Sequence, residues 1–296
     1  MKFLIIFNRQ AGQVKDIKLN EIMTFLQQKN HQVFCSAVHE FNVDKFTSFF
    51  YEKETKRYVI CLGGDGTLNT VVDRFVSQNI LDVPLMPYPS GTANDFAYQL
   101  YGEGIQLSHL VDAAEKRQYQ YLDVGKVNEY YFINVLAAGS FADVAYQTPS
   151  KWKQKIGMWA YWFEAIRRMS TFHAIKFYLQ SNENTESIQC YLLLVLNGRG
   201  AGGFKKLVPG SSLVDGKLDI ILIKEPETLL ELASLFPKIL AGEHLQDHRI
   251  EYFQQSKLEI DTDHYEEIAS VIDGEKGPSF PLKIEVLPAK LAFVTC

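Results

Sequence analysis

The stretch CLGGDGTLNTVV, residues 61–72, places three glycines and one aspartate directly after an apolar run. The glycines are Gly63, Gly64 and Gly66. The run predicts a strand that ends at Leu62, and helical spacing of the next apolar residues predicts a helix that starts near Thr67. Glycines at such a junction let backbone N–H groups approach an anion, and the helix N-terminus adds unpaired donors. The pattern predicts a phosphate-binding loop, with an ordinary strand-to-helix turn as the alternative.

Asp65 lies between the second and third of these glycines. A carboxylate would repel a bound phosphate unless a cation or ordered water lay between them, so Asp65 indicates Mg²⁺ and a nucleotide. The loop has no Lys-Ser or Lys-Thr ending, which excludes a Walker A P-loop. It also lacks the G-x-G-x-x-G spacing of a dinucleotide fingerprint. The sequence therefore predicts a nucleotide site of another type.

Two other predicted strand ends carry similar residues. PSGTANDF at 89–96 joins a strand to a helix, with Gly91 and Thr92 ahead of two further polar residues. FNRQAG at 7–12 follows the first predicted strand. Loops at the carboxyl ends of successive parallel strands face one crevice, so we expect all three to contribute to one ligand site.

The elements that position these loops alternate between strands and helices. Apolar runs predict fully buried strands at 3–7, 32–38 and 57–62, and helical spacing is found at 17–26 and 68–76. A further strand, loop and helix start are predicted within 83–100. This alternation predicts an α/β domain with a parallel sheet and helices on both faces.

The pattern changes after about residue 120 to short strand-like segments separated by turn residues. Helical stretches interrupt them near 156–169 and 228–240. We therefore predict two domains: an α/β nucleotide-binding domain at 1–120 and a β-rich, sandwich-like C-terminal domain at 121–296. The pattern leaves open whether the last strand returns to the first domain.

Composition restricts the classes of function. A length of 296 residues favours two domains. Thirty Lys and Arg against thirty-five Asp and Glu give a net charge of −5, which argues against a chain-wide electrostatic grip on nucleic acid or membrane. The four cysteines are widely spaced, which favours reduced thiols in the cytoplasm over a zinc site or disulfide scaffold. The N-terminal apolar run is too short for a signal or a span, so we expect a soluble protein.

The pair GGDGTLN at 63–69 and GTANDF at 91–96 resembles the catalytic domain of the diacylglycerol kinase and lipid kinase family. The second half of the chain is also similar to the soluble bacterial diacylglycerol kinases. The matching segments are YLDVGKV at 121–127, YFINVLAAG at 131–139, YQTPSKWKQKIG at 146–157, GGFKKLVPGSSLVDGKLD at 202–219 and VIDGE at 271–275. The resemblance implies an ATP- and Mg²⁺-dependent kinase that converts diacylglycerol to phosphatidic acid, with its ATP cleft between the domains.

The resemblance also implies roles for individual residues. The implied ATP-binding residues are Asn8, Gly12, Gly63, Gly64, Asp65, Gly66, Thr67, Leu68, Asn69 and Thr92. The implied Mg²⁺ ligands are the Asp215 carboxylate and the backbone carbonyls of Ser212 and Lys217. Asp273 matches the general base, and Asp65, Asp95 and Asp123 would join Asp215 in a network of aspartates, water and Mg²⁺. The N-terminal loop departs from the family's N-P-x-S-G pattern, because Arg9 replaces proline and Ala11 replaces serine.

The residues alone allow plainer interpretations of two of these aspartates. Asp215 with Gly216 has the composition of a hairpin turn, and Asp273 with Gly274 also reads as a turn. Asp273 follows the apolar residues SVI, however, so a strand end could hold it rigidly.

The segment at 151–168 carries five basic residues against one glutamate, a local charge of +4, with interleaved aromatic residues. We expect it to meet anionic lipid headgroups, which would place the protein on the inner face of the membrane as a peripheral enzyme. Aromatic core packing with solvated lysines is the alternative. Nucleic-acid binding is disfavoured by the acidic net charge and the lack of an RNA-binding motif.

Several alternatives for the function stay open at this stage. The acceptor could be another lipid alcohol, such as phosphatidylglycerol or a sphingoid base. An NAD kinase shares G-G-D-G-T but carries an asparagine-glutamate element where this chain has GTANDF. A silent nucleotide- or lipid-binding module is disfavoured by the presence of Asp65, Asp215 and Asp273 together. The oligomeric state, a homodimer included, is also open.

Overall fold

The computed structural model describes residues 1–8, 16–52, 54–140, 173–181, 184–225, 228–264, 268 and 270–296. The chain divides into two compact units. The first contains Met1–Leu122 and Ala289–Cys296, and the second contains Asp123–Pro288. The sequence places the boundary near residue 120, and the structure divides the chain between Leu122 and Asp123.

The first unit is an α/β fold with a parallel sheet, as predicted. Its strands are β1 (Lys2–Phe7), β2 (Gln32–Ala37), β3 (Arg57–Gly63) and β4 (Leu85–Pro89). Its helices are α1 (Asp16–Gln28), α2 (Thr47–Tyr51), α3 (Asp65–Ser77), α4 (Asp95–Tyr101) and α5 (Leu107–Glu115), with a 3₁₀ helix at Val43–Phe46. The strands lie in the order β2-β1-β3-β4, and all neighbours are parallel.

The core of this unit forms where apolar helix faces cover the central strands. Five apolar residues of α3 are buried, which confirms the stripe predicted at 68–76: Leu68, Val71, Val72, Phe75 and Val76. The helix begins at Asp65, two residues earlier than predicted, so the third glycine of the loop belongs to its first turn. The strand end and the helix start are therefore separated by Gly64 alone.

The prediction that strand 32–38 is fully buried was wrong. In β2, Phe34 is 37% exposed and Cys35 is also exposed. The reason is the sheet order: β2 is the edge strand and pairs with β1 on one side. A run of apolar residues cannot reveal whether its strand lies at the edge or in the centre of a sheet.

The second unit is β-rich. Its strands are β5 (Tyr119–Val127, which begins in the first unit), β6 (Tyr130–Phe132), β7 (Val135–Ala138), β8 (Ile175–Ser181), β9 (Asn184–Cys190), β10 (Leu192–Leu196), β11 (Leu218–Ile223), β12 (Ile250–Gln255), β13 (Lys257–Thr262), β14 (Ser270–Ile272), β15 (Glu275–Lys276) and β16 (Leu282–Val294). It also contains helix α6 (Leu229–Ala241) and a 3₁₀ helix at His244–Gln246.

Two layers of antiparallel strands form the predicted sandwich. One is a six-stranded sheet with the order β12-β11-β10-β7-β14-β15, and the other is the antiparallel part, β16-β13-β8-β9, of a ten-stranded sheet. Side chains from both sheets share one buried cluster, which includes Leu136, Leu193, Ile220, Phe177, Ile260 and Leu282. The shared cluster shows that the two sheets pack face to face.

The remaining predictions about elements have mixed outcomes. The helix predicted at 228–240 is α6, with Thr228 as its N-cap. The helix predicted near 156–169, and the whole segment 151–168, lie outside the described residues. All four cysteines are free thiols. Among the described residues, no helix is both long enough and apolar enough to cross a membrane.

Candidate active site

The glycine loop of the first unit, residues 63–69, has no room for a side chain at Gly63. Gly63 ends β3, and a Cβ at this position would overlap the side chain of Thr67, which is itself 4% exposed. The backbone of Gly63 and the first turn of α3 are therefore in direct contact. A larger residue at position 63 would push the helix start away from the strand end.

Gly64 meets the second predicted loop. A Cβ built on Gly91 would lie 2.5 Å from the Cα of Gly64, and a Cβ built on Gly64 would lie 3.2 Å from the Cα of Gly91. The backbone N–H of Ser90 also donates to the carbonyl of Gly63 at 3.1 Å. The structure thus brings together the loops at 63–69 and 90–94, which the sequence predicted to serve one site.

Gly66 is different, because nothing in the described chain fills the space beside it. It is exposed in the first turn of α3, and a Cβ there would meet no heavy atom within 4 Å. The neighbouring backbone N–H groups lie at the N-terminus of a helix of 13 residues. Open space beside a bare backbone at a helix N-terminus fits a phosphate group.

Asp65 has a structural role that the sequence did not reveal. Its carboxylate accepts hydrogen bonds from the backbone N–H groups of Asp95 and Phe96, each at 3.0 Å. Both donors belong to the first turn of α4, which needs acceptors for its N–H groups. Asp65 therefore joins α3 to α4 through two charge-assisted hydrogen bonds.

Asn94 completes this arrangement, although sequence reasoning gave it no role. Its Oδ1 accepts from the backbone N–H of Gly91 at 2.8 Å, and its Nδ2 donates to the carbonyl of Gly91 at 2.9 Å. Its backbone is left-handed, with φ of 54°. Asparagine tolerates this conformation, and its position three residues after a loop glycine was the available signal. The closed loop presents Thr92 as an exposed residue.

The other predicted nucleotide residues occupy several environments. Asn8 follows β1, and its backbone N–H donates to the carbonyl of Leu62 at 3.4 Å, at the end of β3. Leu68 is 3% exposed and belongs to the core, so its backbone is the part that remains for a ligand. Asn69 is partly exposed on α3. Gly12, Arg9 and Ala11 lie outside the described residues.

In the second unit, Asp273 occupies a two-residue turn between β14 and β15. Asp273 and Gly274 both have positive φ, 46° and 90°, as a tight hairpin requires. The turn interpretation and the rigid strand-end interpretation of this aspartate therefore both hold. Its backbone N–H donates to the carbonyl of Val135 at 2.9 Å, which ties the turn to β7.

The Asp273 carboxylate is held by three backbone N–H groups. Ile133 donates to Oδ2 at 2.8 Å, while Asn134 and Val135 donate to Oδ1 at 3.0 and 2.8 Å. Ile133 and Asn134 form the short connection between β6 and β7, and Val135 is the first residue of β7. Hydrogen bonds to a carboxylate stabilise its ionised form and fix its orientation.

The predicted metal residues lie in the long connection between β10 and β11, so Asp215 and Gly216 do not form a tight hairpin between paired strands. Asp215 is exposed, and its Oδ1 accepts from the N–H of Lys217 at 3.1 Å. The Ser212 hydroxyl accepts from the N–H of Val214 at 3.2 Å. This turn is compact and locally hydrogen-bonded.

Asp123 anchors the loop at 212–217, which we call the metal loop, to β5. It is 2% exposed, and its Oδ2 accepts from the N–H of Gly216 at 2.8 Å. Its own N–H donates to the carbonyl of Leu213, also at 2.8 Å. Within the part of the chain that the structure describes, no group of three or more His, Cys, Asp or Glu side chains is arranged for a metal. A cation at Asp215 would therefore depend on main-chain carbonyls.

Two sequence models match the chain. A model described as the diacylglycerol kinase catalytic domain matches residues 2–127, and the YegS C-terminal NAD kinase beta sandwich-like domain matches residues 134–295. Among curated relatives, a diacylglycerol kinase of Staphylococcus epidermidis is 30% identical over 282 residues, which cover 94% of this chain and 86% of the relative. The chain belongs to the diacylglycerol kinase family.

Other relatives of this lipid kinase agree with the assignment. A diacylglycerol kinase of Bacillus subtilis is 31% identical over 226 residues, which cover 75% of this chain and 72% of the relative. The crystal structure of a diacylglycerol kinase from Bacillus anthracis aligns with a TM-score of 0.74 at 23% identity, covering 100% of this chain and 97% of that chain. At that identity the structural match concerns the fold. The enzyme is thus a lipid kinase with the two-domain fold that the sequence predicted.

Proposed function

We propose that this lipid kinase transfers the γ-phosphoryl group of ATP to the free hydroxyl of diacylglycerol and forms phosphatidic acid, with Mg²⁺ as its metal. The observation that carries the proposal is the pair of contacting glycine loops, with open space beside Gly66 at the start of α3. The names of the curated relatives support diacylglycerol as the acceptor.

The first unit would bind the nucleotide. Backbone N–H groups at the start of α3 would donate to phosphate oxygens, and the helix N-terminus would stabilise their charge. Contact with the loop at 90–94 would place Thr92 beside the same ligand, and Asn8 would approach it from the end of β1. Because Asp65 and Asn94 already hold both loops in place, binding would cost little conformational entropy of the loops.

In the second unit, Asp273 would act as the general base. A base for an alcohol must be ionised and must point at the hydroxyl proton. Three backbone N–H groups hold the Asp273 carboxylate in one orientation, and such hydrogen bonds favour the ionised form of a carboxyl group. An ionised carboxylate offers about four acceptor sites, so three backbone N–H donors do not by themselves prevent Asp273 from accepting the proton of the lipid hydroxyl.

The residues at 212–217 suit Mg²⁺ by the chemistry of their donors. A carboxylate at Asp215 and main-chain carbonyls at Ser212 and Lys217 are the hard oxygen ligands that this ion prefers. Bound Mg²⁺ would neutralise negative charge near the transferred phosphate. Asp123 would hold the loop in place, and Asp65 and Asp95 would extend the proposed aspartate network.

The substrate determines the proposed location. Diacylglycerol lies in a bilayer and ATP is supplied by the cytoplasm, so we place the enzyme at the cytoplasmic face as a peripheral protein. The basic segment at 151–168 is our candidate for contact with anionic lipid, with no nucleic-acid partner. A homodimer stays a prediction.

The test is a phosphorylation assay with the purified enzyme, labelled ATP and Mg²⁺. Diacylglycerol, phosphatidylglycerol and sphingosine in mixed micelles would be offered in parallel, with NAD⁺ as a further acceptor because the C-terminal match mentions NAD kinase. We expect labelled phosphatidic acid from diacylglycerol, and loss of the product when Mg²⁺ is chelated. Preferential labelling of another acceptor would contradict the proposed substrate.

A further inference from the structure

Asn197 is a buried polar residue at the end of β10 that the proposed mechanism does not yet use. It is 1% exposed and directly follows Leu196, the last residue of the strand. Its side-chain Nδ2 donates to the carbonyl of Asp123 at 3.0 Å and to the carbonyl of Ile133 at 3.3 Å. One amide group therefore bridges two separate backbone segments of the second unit.

Those two segments hold the two parts of the proposed site. The Asp123 segment anchors the metal loop, because its carboxylate accepts from Gly216 and its N–H donates to Leu213. The Ile133 segment anchors the proposed base, because the Ile133 N–H donates to Asp273. Both partners of Asn197, Asp123 and Ile133, thus make these anchoring contacts themselves.

The backbone of Asn197 adds a third contact to the same region. Its N–H donates to the carbonyl of Asn134 at 2.9 Å, and the N–H of Asn134 donates to Asp273. The Asn197 side chain also carries a desolvation cost, because its Oδ1 is buried and accepts no hydrogen bond from the described residues. A residue that served packing alone would avoid a buried polar atom of this kind.

We propose that Asn197 is a positioning residue that couples the metal loop to the general base. Its two hydrogen bonds fix the distance between the Asp123 and Ile133 backbones, so that order in the loop at 212–217 is transmitted to the orientation of Asp273. This inference rests on the proposed function, because it assigns the base to Asp273 and the cation to Asp215.

The test is a double-mutant cycle with Asn197→Ala and Asp215→Ala, measured with ATP, Mg²⁺ and diacylglycerol. Val195→Ala is the matched control, because Val195 is fully buried on the same strand and lies opposite Leu136 and Ile220, which have no role in the proposed site. Asn197→Ser provides a second variant that leaves a smaller void if the alanine variant folds poorly. Activities are referred to the folded fraction of each protein.

We expect Asn197→Ala to lower kcat by about 10–100-fold with little change in either KM, because misplaced catalytic groups lose rate rather than ground-state binding. In the Asp215→Ala background the same substitution should cost less than about threefold, since coupled residues are non-additive. Val195→Ala should lose thermal stability and keep its kcat.

Two results would overturn the inference: a kcat for both Asn197 variants equal to that of Val195→Ala, or full multiplication of the Asn197 and Asp215 effects. Failure of the proposed function would look different. In that case the wild-type enzyme itself would not phosphorylate diacylglycerol, and the assignment of Asn197 would fall with it.

Discussion

The carboxylate of Asp65 accepts a hydrogen bond from the backbone N–H of Asp95 at 3.0 Å, which links the first turn of α3 to the first turn of α4. A second bond from Phe96 has the same length. The glycine loop and the neighbouring helix are therefore one connected structure within the first unit. The sequence associated Asp65 with a cation, whereas in the structure main-chain N–H groups donate to its carboxylate.

Asp65→Ala removes both hydrogen bonds and leaves two N–H groups of α4 without this acceptor. We expect the free energy of unfolding to fall by roughly 1–3 kcal/mol, because a buried donor loses its partner. ATP affinity should also fall, since the two loops are no longer tied together. Thermal unfolding and calorimetric titration would measure both effects, with Asp44→Ala at an exposed position as a control. Unchanged stability and affinity would show that this link is unimportant.

Two glycine substitutions should separate folding from ligand binding. Gly91→Ala places a Cβ against the backbone of Gly64, so we expect a loss of about 1–3 kcal/mol in unfolding free energy. Gly66→Ala meets no neighbour and replaces glycine in a helix, so stability should stay constant or rise by up to about 1 kcal/mol. Its ATP affinity should nevertheless fall. Wild-type affinity of the alanine variant at position 66, measured by calorimetry, would reject the phosphate site.

Asp273→Asn should affect both rate and stability. An amide cannot accept from all three backbone N–H groups, because its nitrogen would face a donor. We expect kcat to fall by about 10² or more from loss of the base. The free energy of unfolding should fall by roughly 1–3 kcal/mol. Glu275→Gln on the adjacent strand is the control, and near-normal kcat of folded Asp273→Asn would remove Asp273 from the mechanism.

Asp215→Ala should abolish the response of the protein to Mg²⁺. A ligand that binds the native state raises Tm, so wild type should be stabilised by added Mg²⁺ and the variant should not. Val214→Ala in the same turn changes an exposed apolar side chain and should keep the response. Equal shifts of Tm for wild type and Asp215→Ala would place the cation elsewhere.

Stability should decline in mild acid because of His244. Burial lowers the pKa of this histidine below its ordinary value of 6.5, and the residue is 1% exposed. The unfolded chain therefore takes up the proton first, so the stabilisation is complete above about pH 6.5 and is lost as the pH falls towards the folded pKa. Tm measured at several pH values should fall less steeply for His244→Gln than for wild type. His248→Gln, at an exposed position, should behave as wild type.

Local patterns were sufficient to predict the fold and the glycine loop. Buried strands and the apolar stripe of α3 are encoded in residues close together in the chain, and both are observed. The contact between Gly64 and Gly91 was also foreseeable, because parallel strands bring successive loops to the same sheet edge. The exposure of β2 was missed, since it depends on the order of strands.

Interactions across long stretches of chain left no local signal. Asn197 lies 74 positions from Asp123 and 64 positions from Ile133, and no spacing rule connects them. The backbone donors to Asp273 are about twice as far away, at 138–140 positions. A carboxylate that binds side chains or metals and one that binds main-chain N–H groups look the same in sequence. The structure is needed to tell them apart.

The strand Leu282–Val294 begins in the second unit and ends in the first, and this affects how the chain can fold during synthesis. Phe293 is fully buried against Phe96, with ring centroids 5.0 Å apart, and it pairs with Leu85 of β4. Met1–Leu122 emerges from the ribosome first. This part cannot complete its core until Ala289–Cys296 has been synthesised, after all of Asp123–Pro288. The unit that emerges first is therefore completed last, and the nascent chain carries an incomplete first unit while the second unit is still being synthesised.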